Sequence, residues 1–189
     1  MEEPIKLDVS EIFYSIQGES TWAGVPTVFI RLAGCNLNCA WCDTTYAQKP
    51  NGNYYTIEEI QNIVSNYGVK VVEVTGGEPM LQPGTPVLMK VLLENGYRVL
   101  LETNGSVSLK NTPPGVVKIM DIKCPSSGME DRILWENLKY LNPFNDEIKF
   151  VITDKTDYDY AVAIIQEKDL HKYCRAILFS PILDRLPPG

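Results

Sequence analysis

The sequence has almost no histidine: His171 is the only one among 189 residues. A zinc site that needs a further Cys or His ligand therefore has little to draw on. It also lacks an excess of positive charge. Seventeen Lys and Arg face 24 Asp and Glu, for a net charge of -7 and a pI near 4.8, so the basic field that a phosphate backbone requires is missing and no nucleic-acid partner is expected. No apolar run is long enough to span a bilayer, and the start Met1-Glu2-Glu3-Pro4-Ile5-Lys6-Leu7-Asp8 has neither the basic residues nor the apolar stretch of a signal peptide. Together these absences predict a soluble, cytoplasmic chain with no membrane partner. Internal repeats, low-complexity tracts and linkers are absent as well, and a chain this long with 44% hydrophobic residues buries one substantial core, so residues 1–189 are read as a single domain.

Cysteine is present in an odd number, five, and three of the five fall within the eight residues Cys35 to Cys42. A secreted disulfide framework explains neither the count nor the clustering, which leaves a metal or redox role as the leading reading.

Along the chain, the alternating segment Glu11 to Ile16 and the run Thr27 to Leu32 read as strands around a Gly-containing connection, and the second leads straight into the cysteines. Thr56 followed by Glu59 forms a capping box. Ile57, Ile60, Val64 and Tyr67 recur at helical spacing and Gly68 supplies the stop, predicting a helix over 57–67. The β-branched run Val69 to Val74 is a strand, and Pro86 opens a helix that ends near Asn95-Gly96. Arg98 to Leu101, Val116 to Asp121, Ile148 to Ile152 and Ala176 to Phe179 are further strands; Thr156 to Lys168 is a third long helix, and a short one is expected over Glu130 to Leu138. Strands and helices that alternate in this way imply a mainly parallel sheet with its chemistry at the carboxyl ends of the strands. Those ends read Gly34-Cys35, Thr75-Gly76-Gly77-Glu78-Pro79, Glu102-Thr103-Asn104-Gly105, Asp121-Ile122-Lys123 and Ser180-Pro181. A closed eight-unit barrel takes about 250 residues. The expectation is an α/β fold, a partial TIM-type barrel of about six mainly parallel strands and three long helices, with an N-terminal extension.

Cys35-Asn36-Leu37-Asn38-Cys39-Ala40-Trp41-Cys42 puts three soft thiolates on one loop at C-x3-C-x2-C spacing. Such a set can hold three corners of a [4Fe-4S] cubane and leave the fourth iron without a protein ligand. A structural zinc or a redox disulfide loop are the other readings. Cys124, Cys174 and His171 lie far along the chain and read as core or surface residues.

The spacing C-x3-C-x2-C with an aromatic before the last cysteine, followed one strand and helix later by Gly76-Gly77-Glu78-Pro79, resembles the signature of the radical S-adenosylmethionine superfamily. Within it, the chain resembles the 7-carboxy-7-deazaguanine synthases over nearly its whole length. The resemblance is carried by Glu11-Ile12-Phe13-Tyr14-Ser15-Ile16-Gln17-Gly18-Glu19, Gly24-Val25-Pro26, Phe29-Ile30-Arg31, Cys42-Asp43-Thr44, Thr75 to Pro79, Glu102 to Gly105 and Asp121 to Gly128. It implies an enzyme of 7-deazapurine and queuosine biosynthesis that contracts the ring of 6-carboxy-5,6,7,8-tetrahydropterin to 7-carboxy-7-deazaguanine with loss of ammonia, using a [4Fe-4S] cluster, S-adenosylmethionine and Mg2+. It further implies a homodimer served by an electron-donor protein such as a flavodoxin.

Carried over residue by residue, the resemblance implies that Cys35, Cys39 and Cys42 hold the cluster and that Thr44 ligates magnesium. Trp41, Asp43, Gly77, Glu78, Asp121, Ile122 and Lys123 are expected at S-adenosylmethionine, with Glu102 and Asn104 nearby. Ile16, Gln17, Gly18, Arg31 and Thr75 are expected at the substrate, with no catalytic side chain beyond the cofactor. Arg31 suits a carboxylate because its planar fork makes two parallel hydrogen bonds. Gln17 offers both a donor and an acceptor to a heterocycle. The chain stops at Leu186-Pro187-Pro188-Gly189, short of a further element found in relatives, so an absent C-terminal element is part of the expectation. The competing readings are a glycyl-radical activating enzyme, which would act on a protein, and a non-enzymatic metal-binding module.

Overall fold

Period-two alternation decides the architecture. In Val72-Glu73-Val74-Thr75 and Ile148-Lys149-Phe150-Val151, every second residue is apolar and joins the main core, while the residues between them point to the opposite face. The computed structural model describes residues 3–182. Its eight strands form one sheet: β1 (Lys6–Ile16), β2 (Pro26–Leu32), β3 (Tyr54–Thr56), β4 (Val71–Gly76), β5 (Arg98–Thr103), β6 (Val117–Asp121), β7 (Glu147–Ile152) and β8 (Ala176–Pro181), in the order β3-β1-β2-β4-β5-β6-β7-β8.

From β2 to β8 every pairing is parallel and the strand order follows the sequence, as in a barrel that has not closed. These are the six parallel strands the sequence implies. The N-terminal extension becomes β1, which runs antiparallel to both β2 and β3. β3 is too short to give a sequence signal.

The three long helices are α1 (Ile57–Ser65), α2 (Thr85–Glu94) and α3 (Lys155–Glu167). Thr56 and Glu59 cap α1 reciprocally: the Thr56 hydroxyl accepts from Glu59 N at 3.2 Å and the Glu59 carboxylate accepts from Thr56 N at 2.7 Å. The helix expected over Glu130 to Leu138 is instead two short 3-10 segments, Glu130–Arg132 and Trp135–Tyr140. Ile133 and Leu134 between them are extended, and Leu134 N donates to Gly105 O at 3.0 Å, a tertiary bond that a continuous helix would forfeit. The terminal residues Leu186 to Gly189 lie outside the described residues.

The core lies between the convex face of the sheet and the helices. Val28, Ile30, Leu32, Val72, Val74, Val99, Leu101, Ile148 and Phe150 meet Ile60, Val64, Leu88, Met89, Leu92 and Ala161 there. Among the described residues no helix is long and apolar enough to cross a membrane.

Asp146 locks the amino ends of β6, β7 and β8. Its carboxylate, fully buried, accepts from Lys118 N at 2.8 Å and Asn142 N at 2.7 Å and pairs with Lys118 Nζ at 2.8 Å, while its carbonyl accepts from Arg175 N. Replacing Asp146 by Ala strands the Lys118 ammonium and two amides, and is expected to cost about 3 kcal/mol or more. Urea unfolding of the variant against the parent chain measures it.

Candidate active site

The carboxyl ends of the parallel strands surround one cavity of about 470 Å³, within the size range of small-molecule sites. Cys35, Cys39, Cys42 and Trp41 line it from the loop after β2, Thr75 to Gly77 from β4, Glu102 to Asn104 from β5, Asp121 and Lys123 from β6, and Lys149 from β7.

The cysteine loop is tied down at both ends and in the middle. Gly34 N and Cys35 N donate to Ala47 O and Gln48 O at 2.8 and 2.9 Å. Trp41 Nε1 donates to Ser126 Oγ at 3.0 Å, and Ser126 Oγ donates in turn to Asp157 Oδ2 at 2.5 Å, near the start of α3. Ala40 N reaches Ser127 O at 3.1 Å. The Lys123 ammonium sits 5.1 Å from the centre of the Trp41 ring and 2.7 Å from Asp121 Oδ2, so the aromatic face, cation and carboxylate form one wall.

Gly76 and Gly77 dock the end of β4 against the cysteine loop. A Cβ on Gly76 would stand 2.1 Å from Leu32 O, and one on Gly77 would stand 2.2 Å from Gly34 O, so backbone meets backbone with no room for a side chain. Glu78, fully buried, accepts from Asn104 N at 2.7 Å, Thr103 Oγ1 at 2.9 Å and Met80 N at 3.0 Å. Burial pushes its carboxyl up despite these bonds. Its oxygens clamp β4 to β5 and do not line the cavity.

The floor comes from the concave face of the sheet and from the connection 17–25, which passes beneath it. Gln17 Nε2 donates to Glu73, Lys149 Nζ donates to Glu19 at 2.8 Å and to Glu102, and Thr21 N and Oγ1 donate to Glu147 at 3.1 and 2.5 Å. Thr75 Oγ1 donates to Glu102 Oε2 at 3.1 Å. Burial opposes the charge on Glu102, but Lys149 and Thr75 overcome it and bring the carboxyl down to about 2. Lys149 is held well above its ordinary value by Glu102, Asp121 and Glu19 against the effect of its own burial.

Arg31 projects from β2 onto the cavity wall. Its Nε donates to Glu11 at 2.7 Å, and Glu11 also accepts from Tyr46 OH at 2.6 Å. The terminal nitrogens of Arg31 make no hydrogen bond among the described residues, which leaves the fork available to an anion.

Of the residues singled out from sequence, Gln17, Arg31, Cys35, Cys39, Trp41, Cys42, Asp43, Thr44, Thr75, Gly77, Asp121 and Lys123 lie on the cavity wall, as do Glu102 and Asn104. Ile16, Gly18, Glu78 and Ile122 do not: Ile16 is about half exposed at the end of β1, and Ile122 is in the core. Cys124, Cys174 and His171 lie away from the cavity, with burial pushing the Cys124 thiol up to about 12 and that of Cys174 to about 11. Sequence reasoning missed Glu73, Lys149, Glu19 and the Ser126–Asp157 brace. A charged residue inside an otherwise apolar strand was the available signal for the first two.

The residues present fit the expected groups. Three thiols share one wall, and burial raises those of Cys35 and Cys39 above the ordinary thiol value, a shift that a bound metal reverses by its own charge. Among the described residues no three His, Cys, Asp or Glu side chains stand at the spacing of a single-ion site. Asp121 Oδ1 is buried with no hydrogen-bond partner, an acceptor in want of a donor such as a ribose hydroxyl or an ammonium. Thr44 Oγ1 donates to Asp43 Oδ1 at 2.7 Å, a small oxygen pair at the cavity edge.

Comparison with known proteins agrees with this geometry. The Radical SAM superfamily model matches residues 29–120. The 7-carboxy-7-deazaguanine synthase of Koribacter versatilis is 44% identical over 177 residues, 93% of this chain and 77% of the relative. That of Chlorobaculum tepidum is 43% identical over 190 aligned positions, 100% of this chain and 86% of the relative. The crystal structure of QueE from Escherichia coli superposes with a TM-score of 0.80 at 26% identity, covering 96% of this chain and 86% of that one.

Asp157 makes the cysteine-loop brace pH-sensitive. Burial opposes its charge, but donors from Ser126 and Thr153 outweigh that and hold the carboxyl below the ordinary Asp range. Its contribution to stability is complete above the unfolded value of about 3.9 and is lost as pH falls through the lower folded value. The urea midpoint of the parent chain is expected to drop on acidification below about pH 4, and the drop to shrink in Asp157→Asn. Unfolding curves across that range check this.

Proposed function

Since the chain belongs to the 7-carboxy-7-deazaguanine synthase family of radical S-adenosylmethionine enzymes, we propose that its cavity contracts the ring of 6-carboxy-5,6,7,8-tetrahydropterin to 7-carboxy-7-deazaguanine with release of ammonia. The observation that carries this reading is a single cavity with the three thiols on one side and a free arginine fork, Gln17 and Thr75 on the other. A glycyl-radical activating enzyme would share the thiols but has no need of an enclosed floor lined with hydrogen-bonding groups.

As a member of this family the chain takes a [4Fe-4S] cluster and S-adenosylmethionine. Bound there, the pair would supply the radical chemistry that activates the substrate by removing hydrogen. In our reading Cys35, Cys39 and Cys42 hold the cluster. Trp41, Asp43, Asp121, Lys123 and the Gly77 backbone receive S-adenosylmethionine, with the unpaired Asp121 Oδ1 as an acceptor for it, while Glu78 and Ile122 shape that wall from behind. Thr44 would be the protein ligand for Mg2+, an ion that takes few protein ligands.

On the substrate side, Arg31 receives the pterin carboxylate. Glu11 holds Nε, so the guanidinium plane is set before substrate arrives and less ordering is needed on binding. Gln17 spends its Oε1 on Glu19 N at 3.0 Å and one N–H on Glu73. Its contribution is therefore to fix the 16–18 backbone, with Ile16 and Gly18, as the surface that the heterocycle meets. A single domain of residues 1–189, a homodimer, a flavodoxin-type electron donor and a cytoplasmic location belong to the same reading and rest on the family alone.

The deciding experiment is anaerobic turnover of iron-reconstituted protein with reductant, S-adenosylmethionine, Mg2+ and 6-carboxy-5,6,7,8-tetrahydropterin, followed by mass spectrometry. We expect 7-carboxy-7-deazaguanine from the parent chain, and neither product nor cluster absorbance from Cys39→Ala. Cleavage of S-adenosylmethionine with no deazapurine formed would sink the substrate assignment.

Arg31→Lys keeps the charge and loses the fork. Hydrogen bonds to a charged group contribute about 1.5–3 kcal/mol, so kcat/KM for the carboxypterin is expected to fall roughly ten- to hundredfold. Steady-state kinetics on the variant test it, and an unchanged kcat/KM would remove Arg31 from the substrate site.

A further inference from the structure

Glu73 lies on the cavity floor in the middle of β4, only 2% exposed, in a run that is otherwise apolar outside the Thr75-Gly76-Gly77-Glu78-Pro79 motif. No role assigned above uses it. Burying a carboxyl there is unfavourable unless a cation accompanies it or it stays neutral.

The charged groups facing it can be taken element by element. From β2, Arg31 is paired with Glu11. From the 17–25 connection, Glu19 meets Lys149 at 2.8 Å and is half exposed. From β5, Glu102 takes the Lys149 ammonium. From β6, Asp121 has Lys123 at 2.7 Å. From β7, Glu147 accepts two hydrogen bonds from Thr21, and Lys149 is shared among Glu19, Glu102 and Asp121. Among the described residues Glu73 makes no ion pair. Its Oε2 accepts an N–H from Gln17, and its other close polar neighbour is the Glu102 carboxylate. Of two neighbouring carboxyl groups beside one lysine, the buried one without a cation is the one that keeps a proton. Burial and the Glu102 charge both act to hold that proton on Glu73, against a smaller pull from Lys149.

Position adds the chemical consequence. Glu73 stands one strand period below Thr75 and is bonded to Gln17, and these are the two residues that flank the proposed pterin volume. Turning a pterin into a 7-deazaguanine removes one ring nitrogen, and an amine leaves far more readily once a proton reaches it. We propose that Glu73 is held as a neutral carboxylic acid on the cavity floor and donates the proton with which the ring nitrogen departs as ammonia.

The step balances without another reactant. Once ring contraction has left the nitrogen as a primary amine held by a single carbon–nitrogen bond, that bond breaks with its electron pair going to nitrogen, and the Glu73 proton goes to the same atom to complete ammonia. The adjacent ring carbon gives up a proton as the new carbon–carbon double bond forms. That proton returns to the Glu73–Glu102 pair, which ends with one proton, as it began. This proposal rests on the substrate reading given above, and the test separates the two.

The test is Glu73→Gln, which keeps the shape and can still accept the Gln17 N–H but cannot give up a proton to the amine. In the protein without substrate, the infrared carbonyl band of a protonated carboxylic acid is expected at neutral pH and is expected to vanish in the variant. A spectrum unchanged by the substitution overturns the proposal whatever the activity. In turnover, Glu73→Gln is expected to lower kcat for deazapurine formation by at least about a hundredfold, the usual reach of a general acid, with KM little changed and S-adenosylmethionine still cleaved. Glu73→Asp, which retains the acid one methylene further back, is expected to recover part of the loss; a purely structural role predicts the reverse order, Gln near the parent and Asp worse. Full activity in Glu73→Gln, beside an active parent chain, sinks this proposal and leaves the substrate reading intact. A parent chain that cleaves S-adenosylmethionine and forms no deazapurine sinks both.

Discussion

The concave face of the sheet carries the buried Glu73, Asp121, Glu147 and Lys149 and the partly exposed Glu102 where a conventional barrel interior carries branched apolar residues, and the rest of the molecule answers to that constraint. Buried charge is tolerated only when it is paired and hydrogen-bonded. Lys149 meets three carboxylates at once, Thr21 satisfies Glu147, and Gln17 bonds Glu73. The partners that close this network come from the 17–25 connection, so a segment that looks like an ordinary link between antiparallel strands acts as a polar floor. The sheet need not close into a full barrel, because the strap beneath it joins β4 to β7.

The same economy governs the rim. The Gly76-Gly77 pair reads from sequence as a place where backbone approaches a ligand, but its closest neighbours are the backbones of Leu32 and Gly34. The glycines bring the end of β4 into contact with the cysteine loop, and Glu78 then fastens β4 to β5. A motif spaced 40 residues from the cysteines in sequence is thus in direct backbone contact with the residue that precedes the first of them. This gives a physical reason for the two signatures to occur together, independent of any ligand they share.

What sequence could reveal follows from the range of the interactions. The parallel strands, the three long helices and the cysteine loop were legible because each depends on local periodicity, capping or spacing. Strand β3, with three residues, and the irregular 130–140 segment were not, because tertiary hydrogen bonds define them. Arg31, Thr75 and Gln17 could be named only through resemblance; nothing local distinguishes them. Glu73 and Lys149 carry no local sign of their roles, since their partners Gln17 and Glu102 lie 56 and 47 residues away. The Ser126–Asp157 brace spans 31 residues and leaves no pattern at all.

Charge accounting on the floor links these observations to reactivity. A neutral cavity would orient a pterin by shape and hydrogen bonds alone. In this cavity Lys123 pairs with Asp121 and Lys149 with Glu102, which leaves the buried Glu73 as the carboxyl without a cation and therefore the place for a proton. That position is fixed by the alternation of β4, which sets Glu73 on the same face as Thr75, and by the register that places Thr75 beside Glu102. The proton's location is therefore a property of strand geometry, set before any substrate or cofactor binds. Radical chemistry rearranges the ring, whereas the loss of nitrogen that follows is ordinary acid–base chemistry, and the fold keeps a single proton in reserve for it.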